Sequence, residues 1–171
     1  MSTLHMVVTG HRNIRPKVVG LDYKAHFWTQ TQRWFQHAVT KYDHVVMHNG
    51  CARGMDTMFK WVANKWFDGQ IEIIDHVVTS EQWDASRNAG KNRNKVMIDT
   101  ALNATTLQDD KAILVSGLYP EIEFNHRYGG TLHATNYGIK RLGIERVKFI
   151  YPRHELVEKY MRENPQQGHL F

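Results

Sequence analysis

The segment Asn49-Gly50-Cys51-Ala52-Arg53-Gly54-Met55-Asp56 sets two glycines, an arginine, a thiol and a carboxylate directly behind the apolar run Val45-Val46-Met47-His48. A strand that breaks into glycines and then a helix brings bare N–H groups and a helix N-terminus within reach of a phosphate. A tight connection using its glycines for backbone angles alone would look the same in isolation. Similar punctuation occurs elsewhere. Leu4 to Thr9 runs into Gly10-His11-Arg12-Asn13, Ala89-Gly90-Lys91-Asn92-Arg93-Asn94 opens a helical pattern, and Gly129-Gly130-Thr131 follows the run Ala112 to Val115. In an open parallel sheet such loops meet at the carboxyl ends of the strands. Four loops are therefore expected to form one pocket. Its candidate ligand-binding residues are Gly10, His11, Arg12, Gly50, Cys51, Ala52, Arg53, Gly54, Asp56, Trp83, Asn88, Arg93, Asn94, Gly129, Gly130 and Thr131.

Arg12, Arg53 and Arg93 suit phosphate oxygens because guanidinium offers a fork of donors, and backbone N–H groups near the glycines add neutral ones. Asn88 or Asn94 suits a ribose or base, and Trp83 or Tyr119 could stack a base. Each has a structural counterpart: Arg53 and Asp56 pairing to brace the loop, Trp83 as core, Asp56 as a helix cap. Arg53→Ala is expected to weaken binding by roughly 1.5–3 kcal/mol. The basic run Arg87, Lys91, Arg93 and Lys95 reads as a phosphate-facing lobe or as a solvated helix face. Cys51 beside a helix N-terminus is either an activated thiol or a tolerated small side chain, with no partner base evident.

These residues need elements to hold them. Strands are expected over 4–9, 44–48, 71–78, 110–115 and 146–150, and helices over 23–42, 56–67, 91–102, 131–142 and 154–162. Pro16 sits in the connection before the first helix. Phe27, Trp34, Phe35, Ala38, Val39 and Tyr42 share one face of that helix. Phe59, Val62, Ala63, Trp66 and Phe67 do so on the second, and Val96, Met97 and Ala101 on a later one. Thr79 and Gln82 have capping-box spacing for a short helix through Trp83. Met55, Met58 and Trp61 form a second apolar set, which suggests a homo-oligomer contact. Alternating strands and helices predict an α/β architecture, an open, mostly parallel sheet of about five strands with helices on both faces. One domain is expected over 1–164, with a loose tail at 165–171.

With 171 residues, 42% hydrophobic, the chain can bury a sizeable core, and no apolar run is long enough for a membrane span. No signal-peptide pattern is visible, and a single cysteine excludes an internal disulfide framework; both suggest a cytoplasmic protein. Eleven histidines are scattered without metal-ligand spacing, so neither a metal nor a cofactor is expected. A net charge of +5 and a pI near 9.4 favour an anionic partner without naming one.

Taken with Trp83 and Met97, the four glycine motifs resemble the SLOG superfamily of Rossmann-like domains, in its YspA/cpYpsA-related group, over about Val7 to Ile150. The resemblance implies a nucleotide or nucleotide-derived ligand with phosphates on the glycine loops. Relatives include LOG phosphoribohydrolases, DprA-type single-strand DNA binders and nucleotide-sensing domains, so the fold alone does not choose among them. The hydrolases resemble this chain at Tyr128-Gly129-Gly130-Thr131-Leu132-His133-Ala134, yet Ala134 stands where their glutamate would. A conventional activity of that kind loses its carboxylate. Asp56 is the candidate substitute, and Glu121 and Glu123, in a variable loop, are further carboxylates able to enter the site. The leading expectation is capture of a nucleotide-type small molecule, for sensing or sequestration. The alternatives are N-glycosidic hydrolysis or transfer on nucleoside monophosphates, and DprA-type single-stranded DNA binding. Basic residues do not interleave with the aromatics, which disfavours DNA.

Overall fold

The computed structural model describes residues 1–12, 17–18, 21–118 and 129–150. Pro16, Tyr119, Glu121, Glu123, Tyr128, the helix expected over 154–162 and the tail at 165–171 lie outside the described residues. The chain begins with β1 (Thr3–Gly10), then a two-stranded antiparallel pair, β2 (Lys17–Val18) and β3 (Leu21–Asp22), and α1 (Tyr23–Lys41). Next come β4 (His44–Asn49), α2 (Met55–Trp66), β5 (Ile71–Asp75), α3 (Ser80–Ala85), α4 (Ala89–Asn103) and β6 (Lys111–Gly117). α5 (Gly130–Leu142), a single 3-10 turn (Ile144–Arg146) and β7 (Val147–Phe149) complete the described elements.

Five strands form one sheet in the order β5-β4-β1-β6-β7, every pair parallel. This is an open α/β sheet of Rossmann-like winding. From β1 the chain winds outward through β4 and β5, then returns to the other side of β1. The reversal falls between β1 and β6, where sheets of this type open a crevice beyond their strand ends.

Strand periodicity sorts the core into two layers. Leu4, Met6 and Val8 of β1 face Phe27, Phe35 and Ala38 of α1 and Phe59, Val62 and Ala63 of α2. Val7, on the opposite face, joins Met97, Ile98 and Ala101 of α4 and Leu132 and Ile139 of α5. Both faces of the sheet are thus covered by helices, and its strands read as near-continuous apolar runs. Among the described residues no helix is long and apolar enough to cross a membrane.

Several expectations shift. β5 stops at Asp75 rather than Val78, because its partner β4 ends at Asn49, opposite Asp75, and then enters the Gly50 loop. α4 starts at Ala89, two residues early, and β6 continues to Gly117. The last strand begins at Val147, since Ile144–Arg146 winds into the 3-10 turn. Trp66 and Val96, expected in the core, are 50% and 55% exposed. The buried stripe of α4 runs through Ala89, Asn94, Met97, Ile98 and Ala101, and Val96 lies off that line. Met55 is no interface residue: it is fully buried, and a side-chain carbon on Gly10 or Gly117 would land on its side chain. The capping box forms with both of its bonds, between Thr79 and Gln82.

Candidate functional site

Four loops meet at the switch point around a cleft of about 630 Å³, within the usual size range of small-molecule sites. The end of β1 supplies Thr9, Gly10, His11 and Arg12, and the β4–α2 connection supplies Ala52 and Asp56. The α3–α4 region gives Trp83, Arg87, Gly90, Lys91, Arg93 and Asn94, and the entry to α5 gives Gly129, Gly130 and Thr131. Arg12, Arg87, Lys91 and Arg93 face a single carboxylate, Asp56, among these lining residues.

The two glycines of the opening motif serve packing more than open donation. Gly54 holds φ +87, and a side-chain carbon there would strike the carbonyl oxygens of His11 and Arg12. That close approach lets Met55 N–H donate to His11 O at 3.1 Å, pinning the β1 loop to α2. Gly50 is covered by the Arg93 guanidinium, whose Cζ would stand 2.7 Å from an added side-chain carbon. Arg93 donates from Nη1 to Gly50 O, and from Nε and Nη2 to Asn94 Oδ1 at 3.2 and 2.9 Å. Asn94, itself buried, donates from Nδ2 to Gly130 O at 3.2 Å. Arg93 and Asn94 therefore bracket three of the four loops together, and two of the five guanidinium N–H donors lie outside these bonds.

The open glycines are at α5. Among the described residues, Gly129 has φ +100 with nothing near its missing side chain, and Gly130 has only Asn94 Nδ2 at 3.7 Å. No described side chain caps this helix start. Its first-turn N–H groups have no intrahelical partners, so they are the natural anion donors of the cleft.

Asp56 is the most unusual side chain of the site. It is 3% exposed; Oδ2 accepts from Ala52 N–H at 3.2 Å, while the buried Oδ1 completes no hydrogen bond among the described residues. Burial pushes its pKa up to about 6, against the opposing pull of the Ala52 N–H, Arg93, the Gly10 N–H and Arg12. Asn49 holds this segment, donating from Nδ2 to Asp56 O at 2.8 Å and accepting from Cys51 N–H at 2.7 Å. A cap of its own helix is thus not the role of Asp56, since its side chain reaches back into the preceding loop.

Of the residues expected on the rim, Gly50, Cys51, Arg53, Gly54 and Asn88 lie outside the cleft lining. Arg53 is exposed and makes no ion pair with Asp56, because the tight turn at Gly54 leaves the preceding side chain on the outside. The expected loss of binding on Arg53→Ala is accordingly replaced. Affinity should change by no more than about 0.5 kcal/mol, the usual range for a surface substitution, in a calorimetric titration. Cys51 adopts φ 57, and partial burial together with the Asp75 carboxylate pushes its thiol up to about 11. A thiol raised in this way is held as the neutral form at neutral pH, which disfavours the activated-thiol reading. Asn88 occupies the N-cap position of α4 without a side-chain bond. Trp83 is not core: it is 42% exposed, at the mouth of the cleft, and Gly90 lets its ring edge approach.

Sequence reasoning passed over Thr9; it had Gly90 within a loop motif and Arg87 and Lys91 within the basic run, without setting them among the binding candidates. The basic run did contain the signal, but it divides. Arg87, Lys91 and Arg93 turn to the cleft, whereas Lys95 lies over the Tyr137 ring at 5.7 Å. Ala134, where the resemblance expects a carboxylate, is buried within α5. Among the described residues no group of histidine, cysteine and carboxylate side chains is arranged to hold a metal ion. No family model, curated protein or solved structure matches the chain.

Proposed function

We propose that this protein captures a nucleotide or nucleotide-derived small molecule, phosphate end first, in the cleft beyond β1 and β6. The observation that carries the reading is the start of α5, uncapped and with Gly129 and Gly130 open among the described residues, standing in one cleft with Arg12, Arg87, Lys91 and Arg93. Helix N–H groups and cations together favour a phosphate. Trp83 at the mouth offers a face to a base, and the unpaired Asp56 Oδ1 asks for a donor such as a sugar hydroxyl. Sensing or sequestering such a ligand needs nothing further from the chain.

Asp56 also supports a second reading, cleavage or transfer at an N-glycosidic bond. A buried carboxyl with a pKa of about 6 can hold or release a proton near neutrality, as general acid–base catalysis requires. Single-stranded DNA is the weakest reading, since among the described residues one exposed tryptophan at the cleft gives little stacking surface. A homo-oligomer would bury the Trp61 and Trp66 face, and the reading is that of a cytoplasmic protein.

The test is calorimetric titration with nucleoside monophosphates, followed by chromatography of the recovered ligand. Uptake of intact nucleotide, with the phosphate-free nucleoside at least about tenfold weaker, supports capture. Released base transfers the conclusion to the second reading. Equal affinity for nucleoside and nucleotide overturns both.

A further inference from the structure

Between β5 and α4 the chain leaves the sheet. Its last tie there is the His76 N–H, which donates to Asn49 O at 2.8 Å. From Val77 to Asn88 every residue is exposed except Val78 and Ser86, which are partly buried, and α3, at the centre of this arm, buries none of its residues. The arm's hydrogen bonds are its own. Thr79 Oγ1 accepts from Gln82 N–H at 3.2 Å and Thr79 N–H donates to Gln82 Oε1 at 2.9 Å, while Asn88 N–H donates to Ser86 Oγ at 3.1 Å. Among the described residues, no hydrogen bond or ion pair joins residues 77–88 to anything beyond His76 and the first turn of α4. A stretch with so few ties opens at a small fraction of the free energy of global unfolding.

Open space borders the arm on two sides. Trp83 and Arg87, one helical turn apart, face the cleft, whereas Gln82, Ala85 and Ser86 line a second cavity of about 350 Å³. α4 divides in the same way: Gly90 and Lys91 face the cleft, Asn92 and Val96 the second cavity, and Arg93 borders both. The arm therefore has room to move. What seats it is slight, since the edge of the Trp83 ring rests on Gly90, with Cη2 3.0 Å from the point where a side-chain carbon would stand. The capping box holds α3 together as a unit, but Val77 and Val78 belong to no helix or strand, and Ser86 is extended at φ −155, ψ 127. A stiff body between two short, unpaired ends is the anatomy of a hinge.

We propose that residues 77–88 are a hinged lid, turning on Val77–Val78 and Ser86–Asn88 to press the Trp83 ring onto an occupant of the cleft. The inference rests on the reading of the cleft as a nucleotide site and gives that site a moving part. An occupant shifts such an equilibrium only through contacts that it makes better in one position than in the other. The arm offers two. Arg87 lies at the second hinge and lines the cleft, so a phosphate draws that hinge inward, and the face of a base draws the Trp83 ring off its seat on Gly90. Glu81 and Asp84, the arm's carboxylates, are exposed and lie outside the cleft lining, so closure does not set them against the phosphate. As the arm moves inward, the second cavity widens behind it. Its apolar lips, Val77 and Val96, are already exposed, so the widening costs little buried apolar surface.

Nitrogen relaxation dispersion on the ligand-free protein tests the hinge before any ligand is added. Lid motion belongs to the microsecond-to-millisecond range, so the amides of 77–88 and the Trp83 indole N–H should show exchange fitted by a single rate, with none in α4 beyond its first turn. Unrelated rates from residue to residue, or an arm without exchange, overturns the lid. Gly90→Ala provides a second cut, because the new methyl would crowd the seated ring edge. It should move the Trp83 indole signal and enlarge the exchange throughout the arm while the amides of β1 and β4 stay in place; an arm indifferent to the methyl overturns the proposal. Saturation with adenosine monophosphate should then reduce the exchange contribution of the arm at least about fivefold, by populating the closed position. Nucleotide bound with the arm exchanging as before overturns the lid. Nucleotide that fails to bind, beside an arm that moves as one body and answers to Gly90→Ala, counts against the proposed function alone and leaves the hinge supported.

Discussion

Asp56→Asn should stabilise the ligand-free protein by about 1–3 kcal/mol at pH 7.5 and lose that gain near pH 4. The sign follows from the pKa, raised from an ordinary 3.8 to about 6. Between those values the folded state keeps a proton that the unfolded state has released. Stability therefore falls as pH rises through that window, and the cost is complete above about 6. An amide removes the charge and keeps one oxygen for the Ala52 N–H. Urea melts at several pH values check this; a variant less stable at every pH would show that the carboxylate is a structural clamp. Ligand readouts should move the other way. If the protein cleaves a glycosidic bond, product formation should fall at least about 100-fold, the usual contribution of a positioned acid or base. Stability gained where function is lost is the pattern expected of a side chain held against its own solvation preference.

Arg93→Ala should cost about 3–5 kcal/mol, the largest loss expected of a single substitution in this cleft. Removing the guanidinium leaves Gly50 O and Asn94 Oδ1 without their donor and takes a favourable charge away from the buried Asp56 carboxylate. Lysine should not rescue it, because one ammonium cannot reproduce the fork that reaches a carbonyl on one loop and an amide on another. Gly50→Ala provides an independent check, since the new methyl would stand where the guanidinium lies. The double variant should cost clearly less than the two single changes added together, as expected of groups sharing one interaction. Additive costs would mean that Arg93 does not hold Gly50.

The contrast between Arg53 and Arg93 marks how far the sequence could be read. Both are arginines beside glycine motifs, and spacing alone assigned both to phosphate. The fold turns one to solvent and locks the other inward, because each outcome depends on contacts from another loop: the His11 and Arg12 carbonyls against Gly54, and Gly50 beneath the guanidinium. The parallel sheet was legible from short apolar runs alternating with amphipathic helices, and the meeting of four loops followed from that topology. Thr9 was not legible as a site residue, since it reads as one more position of an apolar strand run, whereas Lys91 was visible in the basic run, where pattern alone did not separate a phosphate-facing residue from a solvated one. The condition of Asp56 was hidden for a different reason. Its burial arises from packing between β1 and α2, whereas the local sequence suggests an ordinary helix cap. Trp66 and Val96 show the reverse error, where apolar character at roughly helical spacing overstated burial by one position on the helix.

The most direct test of the central claim is amide chemical-shift mapping while a nucleoside monophosphate is added. Phosphate seated at α5 predicts that the backbone amides of Gly130 and Thr131 shift strongly and saturate together with the Trp83 indole N–H, while Arg53 stays still. Saturable shifts confined to Arg53, Cys51 or surfaces away from the cleft, or no shift at Gly130 and Thr131, would contradict the account.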